Sequence, residues 1–143
     1  MFDAMAKILL IDDEPALLDV YSAMLAKAGH QVLLASSARE GLAAFSRHCP
    51  EVVITDVILP DESGLNLVLE LTRPKTAAVI VVSGTDTVGG RDLLSFTTLL
   101  GARRALRKPV RRADLIDAID DVLGQRRRRE DDGDPSSRFR RLA

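Results

Sequence analysis

Three short apolar runs, each closing on a polar residue, constrain the fold of this chain more than any other feature. They are "KILLI" at 7–11, followed by Asp12 and Asp13, "VVITD" at 52–56, and "AAVIVVS" at 77–83. Runs of this length without apolar/polar alternation predict strands buried on both faces, the pattern of a parallel sheet covered by helices on each side. "QVLLA" (31–35) and "RALRK" (104–108) are two weaker strands. Helical patterns lie between them. Leu17, Tyr21, Met24, Leu25 and Ala28 form one stripe, opened by Pro15 in a first-turn position and stopped by Gly29. Ser37 and Glu40 form a capping box for a helix carrying Leu42 and Phe45. Leu115, Ile119, Val122 and Leu123 make the last helix, with Gly124 as its expected stop. Five βα units in succession predict an α/β fold with right-handed crossovers and helices on both faces of one sheet.

That architecture says where chemistry must sit. In open α/β sheets, ligands bind outside the carboxyl ends of the strands. Asp12 and Asp13 follow the first strand, Asp56 ends the third, Ser83 the fourth and Lys108 the fifth, so polar groups from four places converge on one edge. Each has a plain structural reading: an acid pair after a strand caps a helix, a serine turns the chain, a lysine is a solvated charge. Together they say more. Three neighbouring carboxylates repel one another unless a cation neutralises them or protons are taken up. An all-oxygen set suits Mg²⁺, which keeps several waters and accepts one or two carboxylates plus phosphate. A carboxylate beside a metal, a lysine and a hydroxyl can attack phosphorus, which would make Asp56 an aspartyl phosphate.

"ILLIDDEP", "DVILPDESG", "VVSG" and "LRKP", in this order over residues 7–123, resemble the four signatures of the receiver domain of bacterial two-component response regulators. The resemblance implies a flavodoxin-like (βα)5 fold, a doubly wound sheet of five parallel strands in the order 2-1-3-4-5. It implies phosphoryl transfer from a sensor histidine kinase or histidine phosphotransfer protein onto Asp56. It further implies that Asp13, Asp56 and the backbone carbonyl of Ile58 ligate Mg²⁺, with Asp12 acting through water. Ser83 and Lys108 would take phosphoryl oxygens, Pro60 and Gly64 would shape the loop after Asp56, and Pro109 would follow a cis peptide bond. Such a domain catalyses only its own aspartyl phosphorylation and dephosphorylation. Its output is phosphorylation-dependent binding of a downstream protein, or onward transfer of the phosphoryl group.

The chain departs from the family pattern in places. The aromatic residue that usually turns inward from the fifth strand is replaced by Ala105. The spacing from Ser83 to Lys108 is slightly long, with a glycine pair in "GTDTVGGRDLLSFTTLLG", which leaves the fourth helix the least defined element. No output domain follows Gly124, so direct DNA binding is not expected. Three other readings stand beside a working receiver. One is a degenerate receiver serving as a dimerisation module, although all five polar site positions are present. Another is a phosphatase of the haloacid dehalogenase type, which would carry an aspartate two residues after its nucleophile, where this chain has Ile58. The last is nucleic-acid binding through an arginine tail, which salt dependence would reveal.

Charge separates that tail from the rest. Residues 125–143 hold seven arginines against four acids, while the remainder is net acidic and the whole chain is −1. The tail lacks apolar periodicity and mixes charge blocks with Gly, Pro and Ser, so the expected division is a domain over 1–124 and a disordered tail over 125–143. A single cysteine, Cys49, excludes an intrachain disulfide. The absence of an apolar run near 20 residues, or of a signal-peptide pattern, points to a cytoplasmic protein without membrane association. His30 and His48 read as surface turn residues away from the acidic edge. Arg103, Arg104, Arg107, Arg111 and Arg112 surround the fifth strand. They would place a basic patch on the face of the fourth helix, fifth strand and fifth helix, which in the family serves dimer or target contacts.

Overall fold

The computed structural model describes residues 5–84, 87–88 and 91–133. Its main sheet has five parallel strands: β1 (Lys7–Ile11), β2 (Gln31–Ala35), β3 (Val52–Thr55), β4 (Ala78–Ser83) and, after a two-stranded ribbon, β7 (Arg104–Arg107). Their spatial order is β2-β1-β3-β4-β7, which is 2-1-3-4-5 when only the main sheet is counted. The intervening helices are α1 (Pro15–Lys27), α2 (Ala38–His48), α3 (Gly64–Thr72), α4 (Leu93–Leu99) and α5 (Arg112–Gly133).

The apolar runs behave as a doubly covered sheet requires. Ile8 and Leu10 of β1, Val52 and Ile54 of β3, and Ile80 and Val82 of β4 enter a core with Leu18, Tyr21 and Leu25 of α1 and Leu115, Ile119 and Val122 of α5. The alternate residues Leu9, Ile11, Val53, Val79 and Val81 enter a second core with Leu67, Val68 and Leu71 of α3. Each fully buried aliphatic side chain contributes about 1.5–3 kcal/mol of transfer free energy. The expected faces are right in outline. In α1, however, Leu18 is buried while Leu17 and Met24 only pack against the core edge. Pro15 opens α1 as expected. At α2, the Ser37 side chain accepts the Glu40 N–H (3.1 Å), but the Glu40 carboxylate reaches the N–H of Ser36, one residue before the expected capping-box partner.

Three expectations are corrected and one, the third below, is made specific. Gly124 does not stop the last helix: α5 continues to Gly133, taking in 125–133 of the segment read as a disordered tail. One glycine costs a helix only about 1 kcal/mol relative to alanine. Here it is offset by the glutamine and arginines that follow, and by Arg127, whose guanidinium donates to the Met5 carbonyl (3.1 Å) and lies 3.7 Å from Glu51. The rest of that segment, 134–143, lies outside the described residues. Secondly, His30 is not a surface residue but 7 % exposed, its Nδ1 accepting the Ala6 N–H at 3.1 Å. Burial holds its pKa below the ordinary 6.5, with Arg127 acting in the same direction against Asp120 and Glu51. Thirdly, the long spacing after Ser83 is taken up by an antiparallel ribbon, β5 (Thr87–Val88) with β6 (Arg91–Asp92), which leaves α4 only seven residues. Fourthly, of the arginines around β7, Arg103 parts from Arg104 and Arg107, which line one hollow together. Arg104 is paired to Asp121 at 2.8 Å on the α5 side, whereas Arg103 lines a cleft with α3 residues. His48 is exposed, as expected.

Candidate functional site

Parallel register delivers the site. Pairing Ile11 with Thr55 and Thr55 with Val81 ends β1, β3 and β4 at nearly the same level, so Asp12, Asp56 and Ser83 emerge side by side. Two backbone bonds carry the ladder just past the strand ends: Asp56 N–H donates to the Ile11 carbonyl (3.0 Å) and Lys108 N–H to that of Ser83 (2.9 Å). Asp12 and Asp56 are 2 % and 6 % exposed, and Ser83 is fully buried.

The carboxylates come together as the sequence predicts. Ligand oxygens of Asp12, Asp13 and Asp56 lie within 4.8 Å of one another. Into this group reaches Lys108, whose Nζ lies 2.8 Å from Asp12 Oδ2 and 2.8 Å from Asp56 Oδ2, with Glu14 farther off at 3.7 Å. Burial by itself would lower the Lys108 pKa. The hydrogen bonds and charges of Asp12 and Asp56 more than reverse this and hold it above its ordinary value. The remaining oxygens are also used. Glu14 N–H donates to Asp12 Oδ1 and Ile58 N–H to Asp56 Oδ1, each at 3.0 Å. Asp13, exposed, takes no hydrogen bond among the described residues. The donor set consists of oxygens alone, and its formal charge of −3 is offset by one ammonium, so a hard divalent cation fits it.

The loop after Asp56 is held at both ends. Ile58 bridges Ser63, and Gly64 sits so close to the Val57 backbone that a Cβ would overlap the Val57 carbonyl. Pro60 is exposed in this loop. The Lys108–Pro109 bond is cis. Ala105 faces the core on the α3 side and is partly buried there. Asp61 had no role in the sequence reading: its two oxygens accept the N–H groups of Ala38 and Arg39 at 3.0 Å each, capping α2 from the neighbouring loop. Those bonds, Arg39 first and Ala38 second, hold the Asp61 pKa below its ordinary range. Only the loop's tertiary position creates this contact, so no local pattern could have announced it.

Comparison with known proteins agrees with this geometry. The response regulator receiver domain family matches residues 8–120. Protein PilH of Pseudomonas aeruginosa is 36 % identical over 126 residues, covering 83 % of this chain and 98 % of PilH. KdpE of Mycobacterium tuberculosis is 43 % identical over 79 residues, which are 55 % of this chain and 35 % of KdpE. Among solved structures, a receiver domain from Clostridium thermocellum has a TM-score of 0.78 at 38 % identity, covering 85 % of this chain and 97 % of that one. A CheY-like receiver from Methanospirillum hungatei has a TM-score of 0.80 at 28 % identity, covering 87 % and 98 %. With the sheet order, the carboxylate cluster and the lysine already in place, the chain belongs to the response regulator receiver domains, the phosphoacceptor modules of two-component signalling.

Proposed function

We propose that Asp56 is the phosphoacceptor and that this chain takes its phosphoryl group from the histidine of a sensor kinase or phosphotransfer protein. The observation that carries the reading is the Lys108 ammonium, shared at 2.8 Å between Asp12 and Asp56. It neutralises the nucleophile's surroundings without removing its reactivity. In the transfer, an Asp56 oxygen forms the O–P bond as the histidine N–P bond breaks, and the histidine nitrogen keeps the electron pair. Lys108 and the Ser83 hydroxyl, at adjoining strand ends, take the phosphoryl oxygens. Asp13, Asp56 and the Ile58 carbonyl would hold Mg²⁺, which when bound supplies positive charge against those oxygens. Asp12 acts through water, in keeping with its two oxygens already engaged by Lys108 and the Glu14 N–H.

The signal leaves by protein binding or onward transfer from a cytoplasmic module, with α4, β7 and α5 as the face for dimer or target contacts. Ala105 leaves that face without the usual aromatic switch, so the change on phosphorylation is carried by Ser83. Incubation with acetyl phosphate and Mg²⁺ followed by intact-mass measurement tests the reading. Wild type gains one phosphate and Asp56→Asn none; equal labelling of both removes Asp56 from the role.

A further inference from the structure

At the opposite edge of the sheet, where the strands begin, lies a second concave site. It is a cleft of about 640 Å³ between the C-terminal ends of α3 and α4, the start of β4 and the outer turns of α5. Since β4 is six residues long, the cleft stands roughly 17 Å from the carboxylates. Its lining includes Arg73, Lys75, Arg103 and Arg126 and no acid, over apolar walls that include Leu69 and Leu100. Among the described residues no carboxylate forms an ion pair with Arg73, Lys75 or Arg103.

Two ordinary explanations for such cations fall short. A cation at a helix C-terminus can serve the helix dipole, and Arg73 is placed for that as the C-cap of α3. Arg103 precedes a strand, so it does not have that role. Nor are the carbonyls of Phe96, Thr97, Thr98 and Leu100 at the end of α4 left waiting for these cations. The N–H groups of Leu100, Gly101 and Ala102 take the carbonyls of Phe96, Thr98 and Thr97, and the Thr72 hydroxyl donates to the Leu100 carbonyl at 3.0 Å. Lys75, at φ 59° with its N–H donating to the Thr72 carbonyl (3.1 Å), closes the turn after α3 as Cys49 does after α2, which fixes the chain at the rim of the cleft.

We propose that this cleft binds a nucleoside diphosphate. Guanidinium forks match phosphate oxygens in pairs, and the three cations Arg73, Lys75 and Arg103 suit a diphosphate. The volume is that of a small-molecule site, and the leucine walls receive the base and sugar without reading a base edge. Arg126, which also lines the cleft, belongs to the part of α5 that continues past Gly124, so the helical extension forms one of its walls.

The test uses the full chain in EDTA, which prevents metal-assisted phosphate binding at the carboxylates, and N-methylanthraniloyl-ADP as the probe. Saturable binding is expected, displaced by unlabelled ADP and at least tenfold weaker in the exposed double variant Arg73→Glu/Lys75→Glu. Amide shifts in the wild type should gather at residues 72–78 and 100–103. Equal affinity in the variant, or shifts centred on Asp12 and Asp56, would overturn the proposal. Inorganic phosphate should displace the probe only at far higher concentration; displacement as good as ADP's removes the nucleoside. Sedimentation with phosphatidylglycerol vesicles in the absence of probe binding would replace the cleft with a lipid-facing surface.

Discussion

The two ends of the sheet carry opposite charge and handle it differently. At the carboxyl edge, three acids are drawn together beside one lysine, and the carboxylates of Asp12 and Asp56 accept partly buried hydrogen bonds of 2.8–3.0 Å. At the amino edge, four cations stand around an open cleft and carboxylates are kept out of its walls. Repulsion between like charges is costly at either end. The first is compensated only in part, by Lys108 on Asp12 and Asp56, which leaves room for a cation, whereas Arg73, Lys75 and Arg103 at the second form no ion pair with a carboxylate among the described residues. Partial compensation within the chain goes with the reactive site, and its absence at those three cations goes with the cleft proposed to take an anion.

The largest effect expected is all-or-none. Asp56→Asn should abolish acetyl phosphate labelling, while Arg73→Glu/Lys75→Glu should leave it at the wild-type rate; loss of labelling in the latter would show that the two ends are coupled. Glycine replacements should separate the ends by stability. Gly64→Ala forces a Cβ into the Val57 carbonyl and should cost about 3 kcal/mol in urea unfolding. Gly101→Ala at the cleft, strained at φ 112° but only crowding the Thr72 side chain, should cost about half as much, on the order of 1.5 kcal/mol. A reversed order would mean that the cleft is the more rigid end.

A further comparison concerns water at the phosphorylated site. Ile58, 54 % exposed beside Asp56, cannot orient an attacking water, and this predicts a long-lived phosphoryl group. Ile58→Asn should lose phosphate about tenfold faster in a Mg²⁺ chase. Equal decay would acquit Ile58.

Truncation after Gly124 removes the Arg127 contacts to Met5 and Glu51, both partly exposed, so it should lower stability by about 1 kcal/mol, a few degrees in Tm. No change in Tm would mean that the extension does not hold the amino edge together. The smallest effect is the pH response of His30. Its folded pKa is depressed by burial below the unfolded 6.5, so the unfolded chain binds more protons as pH falls. The His30 contribution is complete above 6.5 and is lost as pH falls toward the folded value. Proton NMR should find the His30 midpoint below 6.5, and His30→Gln should flatten the acid side of the Tm profile; a midpoint at or above 6.5 would contradict its burial.

Much of this protein is written locally. The unbroken runs 7–11 and 78–83 can only be buried on both sides, and strands of that kind alternating with helices leave few topologies, so the sheet and the convergence of Asp12, Asp56, Ser83 and Lys108 follow from spacing alone. What the sequence could not supply depends on contacts between distant segments. Gly124 carries the local mark of a helix stop, and the turns beyond it contact Met5 and Glu51 through Arg127. His30 sits in a turn-like "KAGHQ", and the Ala6 N–H, 24 positions away, is what holds it inside. Asp61 looks like a solvated loop acid until α2 is placed beside it. Arg103 and Arg104 are neighbours in sequence, yet strand alternation sends one to the cleft and the other to Asp121. Periodicity specifies which face of an element is apolar; only the packed chain decides which partner each polar group meets, because hydrogen bonds and ion pairs depend on distances that sequence separation does not fix.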